Sequence, residues 1–196
     1  MIKLPKMIAA TGNDCVVASV QMVCMYWRQE KPNLKWKDAP VDFDDPFWSN
    51  FNKKGVSYVR KTGMPTNNIK RFLKTLEMPL SAEHQILEDS QGLRRLMDAQ
   101  IPPIVLYDRQ YYFKQIHGLA HAVVFVDYTK ETFVSADPAF APKPTTRLAE
   151  IDFLEAWKQN KNAVIIINPK IYRFIKTEIP STNLLQYLTL EERGMQ

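Results

Sequence analysis

Two cysteines and three histidines stand in the chain of 196 residues, few enough for each to be weighed for chemistry. Cys15 follows Asp14 at the head of the apolar run 16–27, and Cys24 lies inside that run. The run is broken only by Ser19 and Gln21, and a segment apolar almost all round predicts a buried helix. Asp14 reads as its N-cap and Cys15 as its first residue. A thiol at that point feels the positive end of the helix dipole, which stabilises a thiolate and makes it a nucleophile. Cys24 reads as a small core hydrophobe. On one helix the two thiols face opposite sides and lie roughly 13 Å apart along the axis. A disulfide needs Cα atoms within about 7 Å, so the pair cannot bridge.

A nucleophilic thiol needs a base, and the base needs a group to orient it. His84 sits in a loop-like segment with no acid placed beside it by pattern, and reads as a structural or surface residue. His117 and His121 have the four-residue spacing of two zinc ligands on a helix. Gly118 weakens a helix there, no Glu follows His117 and a strand begins at once, so the spacing does not predict a metal site. His121 opens the apolar segment 121–128, and the next such segment, 132–136, runs into Asp137. If these strands form a tight hairpin centred on Thr129, Phe125 faces Phe133 and His121 faces Asp137. Opposed residues share a face with Cβ atoms about 5 Å apart, unless a β-bulge shifts the register. The imidazole and the carboxylate are then neighbours.

The remaining elements must hold these groups together. Helices are expected first: 15–28, ending near Arg28; one from Thr66 with Ile69, Phe72, Leu73 and Leu76 on one face; and one over 90–99. Strands follow at 104–107, 121–128, 132–136 and 163–167, with a short helix at 149–157. Helices before strands argue for an α+β fold in which the N-terminal buried helix carrying the cysteine packs on a C-terminal antiparallel sheet. Residues 30–60 read as irregular, broken by Pro32, Pro40 and Pro46. Trp36, Phe43, Phe47, Trp48 and Phe51 lie among them, either packed on the core or walling a groove. Residues 1–169 are expected to form one domain, with 170–196 an extension docked on it or partly disordered.

Composition sets outer bounds. Apolar residues make up 45% and charged residues 24%, which excludes a disordered tail, a collagen or a coiled coil. Two cysteines exclude a disulfide scaffold and a four-cysteine zinc site. The 26 basic and 21 acidic residues leave a formal charge of +5. That excess is mild, and the basic stretch from Lys53 to Lys74 reads as a solvated face, so no nucleic-acid partner is expected. Neither a signal peptide nor a run long enough to span a membrane is evident, and a cytoplasmic protein with reduced thiols is expected.

Taken together, these motifs resemble the papain-like cysteine peptidases, and within them the bacteriocin-processing, double-glycine leader peptidases and their stand-alone relatives. The resemblance rests on Asp14-Cys15 opening the helix, on His121-Ala122-Val123-Val124 opening a strand, and on Asp137-Pro138. The strand Ile104-Val105-Leu106 before the histidine, and Phe153-Leu154-Glu155-Ala156-Trp157 and Ala163 to Pro169 after it, occur in the family's order over residues 5–169. It implies Cys15 as nucleophile, His121 as general base and then acid, and Asp137 as the group orienting the imidazole. The Cys15 backbone N–H would form half of an oxyanion hole. It further implies a peptide or protein substrate and no cofactor or metal.

Two positions depart from the family pattern. Ala9 stands where the family has a Gln whose amide completes the oxyanion hole, and Val16 stands where it prefers Gly. Losing one oxyanion donor costs about 3–4 kcal/mol of transition-state stabilisation. Asn13 is the preferred substitute, since its amide donates as that of Gln does, with Thr11 as the alternative. The expected activity is thiol-dependent hydrolysis of a peptide or amide bond. The other readings are acyl transfer or deamidation at the same three residues, and a weakly active or inactive peptide-binding module.

Overall fold

The structure is a computed structural model that describes residues 1–10, 14–59, 66–113, 120–140 and 145–170. Its first element is helix α1, Cys15–Glu30, buried without interruption from Val16 to Trp27. Such a helix must be enclosed on every side. On one side lies a sheet of six strands in the order β1-β6-β2-β3-β4-β5: β1 Leu80–Ile86, β2 Ile104–Asp108, β3 Ala120–Tyr128, β4 Thr132–Ala136, β5 Thr146–Ala149 and β6 Ala163–Pro169. Every pairing is antiparallel. The architecture is the expected α+β arrangement, with the cysteine on an N-terminal helix against an antiparallel sheet.

The few polar groups of α1 fix its seat. Ser19 Oγ donates to the Ala122 carbonyl of β3 at 3.3 Å, and Trp27 Nε1 donates to the Ile167 carbonyl of β6 at 2.6 Å. Buried donors of this kind must be satisfied, so they set the height of the helix on the sheet. Phe125, Phe133, Phe153 and Trp157 form a ring cluster with centroids 5.0–5.4 Å apart, stacked between Phe125 and Phe133 and between Phe153 and Trp157 and edge-on between Phe133 and Phe153. They join β3 and β4 to helix α6, Glu150–Lys158. Helix α3, Thr66–Thr75, and helix α4, Ser90–Asp98, lie where the apolar spacing put them.

Residues 30–60 are not irregular throughout. Helix α2 spans Pro46–Val56. The Asp45 carboxylate accepts from the Phe47 backbone N–H at 2.7 Å, and Pro46 takes the first helical position. A proline there gives up an N–H that the helix could not use, so what reads as a breaker is a start. Trp36, Trp48 and Phe51 are buried in the core. Gly55 brings α2 against α1 so closely that a Cβ at this position would stand 2.4 Å from Val17 Cγ1.

His84 lies on β1, not in a loop, and is exposed, which takes the surface side of the two readings left open for it. β1 pairs with the fully buried β6 over all seven of its residues. The short α5, Arg109–Tyr112, and β5 also lie outside the expected elements. Asp14 occupies the N-cap position of α1 and is buried, yet its side chain makes no capping bond. Its φ of −102° and ψ of 17° depart from the extended conformation that aims a cap side chain at the first turn. No helix among the described residues is long and apolar enough to cross a membrane. Of the 170–196 extension, only Lys170 is described; its backbone N–H donates to the Pro79 carbonyl at 2.9 Å.

Candidate active site

Three elements converge where α1 meets the end of β3. Cys15 is the first residue of α1 and half-buried. His121 is the second residue of β3. Asp137 follows β4 directly and is 2% exposed. His121 Nε2 stands 2.7 Å from Asp137 Oδ1, and the same imidazole lies close enough to the Cys15 thiol to shift it. With Nε2 committed to the carboxylate, Nδ1 is the ring nitrogen left for the thiol. The ring is therefore held between a sulfur and a carboxylate.

The register that produces this contact is not the expected one. Val124 pairs with Ala136 and Phe125 with Ser135, while beyond a shift between Phe125 and Asp127 the pairs are Asp127–Val134 and Tyr128–Phe133. Phe125 therefore does not face Phe133. The turn is longer than a three-residue loop centred on Thr129: the Thr129 N–H donates to the Thr132 carbonyl at 2.8 Å, and Thr129 Oγ1 accepts from the N–H groups of Glu131 and Thr132. Continued past Ala136, this register sets Asp137 across from Val123, two residues along from His121. Displacement by two keeps side chains on the same face. The diagonal gap of about 7–8 Å is within reach of long side chains.

Asp137 is itself fixed. Its Oδ1 also accepts from the Ala139 backbone N–H at 2.8 Å, in a 3-10 turn over Pro138–Phe140. The Pro138 carbonyl accepts from the Ala10 N–H at 3.1 Å, which ties this turn to the chain leading into α1. Tyr107 is the cross-strand partner of His121. Its ring is fully buried and meets the imidazole edge-on, 6.0 Å away at 72°. Burial and the nearby Asp137 charge push the Tyr107 phenol up, so it stays neutral. Its role as a cover for the imidazole went unread in the sequence, although an aromatic ending the strand before the histidine was a usable sign.

The electrostatics follow from the geometry. Burial alone would raise the Cys15 thiol, but the His121 hydrogen bond and charge outweigh it, helped by backbone bonds to Ala122 and Val16. The net shift is downward. Burial works against the charged form of His121 as well, yet the Asp137 and Cys15 bonds and charges raise it to about 9. Both shifts move the pair toward a thiolate beside an imidazolium, which is the activated form of a cysteine nucleophile. Cys24, fully buried with nothing to offset its desolvation, is pushed up and stays a thiol.

Asn13 and Thr11, the candidate oxyanion donors, lie outside the described residues, as does His117. Ala9 is described and exposed, and it offers no side-chain donor. Among the described residues no group of three or more potential ligands could hold a metal ion.

A family model described as the Peptidase_C39 like family matches residues 3–165. The fold is similar to the crystal structure of a Bacillus anthracis protein assigned, without proof of activity, as a C39-like peptidase. The two share 14% identity at a TM-score of 0.60, over 86% of this chain and 96% of that one. The search of curated proteins found no match.

Proposed function

The chain belongs to the Peptidase_C39 like family, and from that premise we propose that it is a cysteine peptidase working through Cys15, His121 and Asp137. The observation that carries the reading is one imidazole bonded at 2.7 Å to a buried carboxylate and placed beside the Cys15 thiol, which it shifts downward. In the first step Cys15 Sγ attacks the scissile carbonyl carbon. The C–N bond then breaks, and the imidazolium proton passes from His121 to the leaving amine. A thioester remains on Cys15. His121, now neutral, takes a proton from water as the water oxygen attacks the thioester, and the acid and the thiolate separate. Asp137 keeps the ring in the tautomer and orientation that both steps need.

The developing oxyanion needs donors. The Cys15 backbone N–H is one, and we assign the second to the Asn13 amide, because Ala9 cannot serve. Ala9 also favours a second reading, in which the same thioester is passed to an amine instead of water. Labelling with an electrophilic peptide library, followed by mapping of the modified residue, tests the nucleophile. Modification of Cys15 is expected, and modification of Cys24 or of nothing refutes it. Product analysis with added amines separates the readings: release of acid alone excludes transfer.

A further inference from the structure

A hydrogen bond at one ring nitrogen holds an imidazole by one end, and the ring can still tilt about that bond. The His121–Asp137 contact at 2.7 Å is such a bond. The Asp137 side chain is 1% exposed, whereas that of His121 is 12% exposed. The ring therefore needs a wall along its side as well as the carboxylate at its end. Tyr107 stands there. It pairs with His121 across β2 and β3, and opposed side chains on neighbouring strands share a face. Its ring centroid lies 6.0 Å from that of the imidazole, with the planes at 72°, which is an edge-on aromatic pair. Asp137 acts on Tyr107 too, since the carboxylate charge helps to push the phenol up.

Tyr107 is itself held in place. Phe153 meets it edge-on at 6.0 Å and 69°, and Tyr112 does so at 6.1 Å and 84°. Phe153 stacks in turn on Trp157 at 5.4 Å, and the Tyr112 hydroxyl accepts from the Ala149 N–H at 3.1 Å. At 1% exposure Tyr107 is enclosed, and close packing keeps such a side chain in its rotamer.

We propose that Tyr107 is a positioning residue: its ring stops the His121 imidazole from tilting away from Cys15 and keeps water off the His121–Asp137 bond. The inference deepens the peptidase reading and rests on it for the purpose that the positioning serves. A reactive side chain must be held to within about 0.5 Å by neighbours that are themselves locked by packing. A rigid ring meets that need, and because the phenol stays neutral it brings no charge to compete with Asp137 for the imidazolium. Excluding water also strengthens the bond, since a hydrogen bond in low-dielectric surroundings is stronger than the same bond in water.

The test is proton NMR of the full-length protein in water. The Nε2–H of His121, bonded to a carboxylate, gives a resonance downfield of the amides, assigned by its loss in His121→Gln. Its exchange with water is read by saturation transfer. In the wild type the resonance should be resolved at neutral pH. In Tyr107→Leu exchange should run about tenfold faster, the upper end of what an edge-on aromatic pair contributes. Tyr107→Phe keeps the ring and should keep the wild-type rate. Phe133→Leu removes another ring of the same cluster, one paired with Phe125 and Phe153, and should also leave the rate unchanged. That variant separates positioning of the imidazole from general loosening of the core. Melting curves report folding, and if Tyr107→Leu does not fold, Tyr107→Met takes its place. A resonance already lost to exchange in the wild type, a rate unmoved by loss of the Tyr107 ring, or an equal acceleration in Phe133→Leu overturns the proposal. Labelling of wild-type Cys15 by electrophilic peptides judges the peptidase reading separately. Faster exchange on loss of the ring, in a protein whose Cys15 does not label, sinks that reading and leaves Tyr107 as the wall of the imidazole; labelling with exchange unmoved does the reverse.

Discussion

Replacing Asp137 by Asn keeps the shape of the side chain and removes its charge. The amide oxygen can still accept from His121 Nε2 and from the Ala139 N–H, since a single oxygen, Oδ1, takes both bonds in the native protein. Packing is therefore preserved and the electrostatic change is isolated. At 2.7 Å and 2% exposure the lost interaction is a buried, charge-assisted hydrogen bond. Such bonds contribute about 1.5–3 kcal/mol, and about 1.4 kcal/mol corresponds to one pKa unit. The His121 imidazolium should accordingly become easier to deprotonate by about 1–2 units. Cys15 is lowered by that imidazolium against the pull of burial, so its thiolate should form at higher pH in the variant. The assay is the rate of Cys15 alkylation by iodoacetamide against pH, with the modified residue mapped by mass spectrometry. The rise of the rate should move to higher pH in Asp137→Asn. Superimposed profiles from two folded proteins would refute the idea that the carboxylate sets the charge state of the thiol through the ring.

Three further outcomes are expected. In the native protein one thiol, Cys15, should react quickly with a disulfide reagent, while Cys24, fully buried and with its thiol pushed up, reacts only after denaturation; two fast thiols would contradict the buried helix. Gly55→Ala drives a Cβ to 2.4 Å from Val17 Cγ1 and should cost about 1–3 kcal/mol in urea unfolding. Val17→Ala should relieve part of that loss in the double variant, and strict additivity would count against the contact. In a Cys15→Ala background the thiol no longer contributes, and the Asp137 bond and charge are expected to hold His121 above its ordinary 6.5 against the burial that lowers it. A raised folded pKa stabilises fully below the unfolded value and loses its effect as pH rises through the folded one, here in a window from about 6.5 up to at most about 9. The urea midpoint should fall across that window, and Asp137→Asn should flatten the slope; a midpoint that climbs instead would reverse the sign of the argument.

The readable parts of the chain were those in which burial leaves no choice of residue. Helix α1 and strand β6 are enclosed, so their sequences are nearly pure apolar runs. β1 pairs along one side only, and its residues His84 and Ile86 are exposed, so its composition does not distinguish it from a loop. Helix α2 hid behind Pro46, Lys53 and Lys54, although Asp45-Pro46 is a start signal in its own right. His121 and Asp137 were matched by a hairpin argument whose register was off by two, an even slip that preserves the face. The turn over Thr129–Thr132 and the irregularity after Phe125 depend on side-chain bonds and strand twist, which a count of residues does not contain. Tyr107 covers the imidazole through a pairing between β2 and β3, and that is a tertiary fact.

The strand order also bears on how the molecule is made. β6 is the last strand of the described chain, yet it lies between β1 and β2 and supplies the pairing that joins β1 to the rest of the sheet. Helix α1 is anchored to partners far along the chain, Ser19 to Ala122 across 103 positions and Trp27 to Ile167 across 140. A chain emerging from the ribosome presents Cys15 before His121 and Asp137, so the contacts around that thiol form only after most of these partners have been made. Contacts of such long range are slow to form. The long apolar helix α1 must be kept from aggregating until β6, the last described strand, has taken its place between β1 and β2.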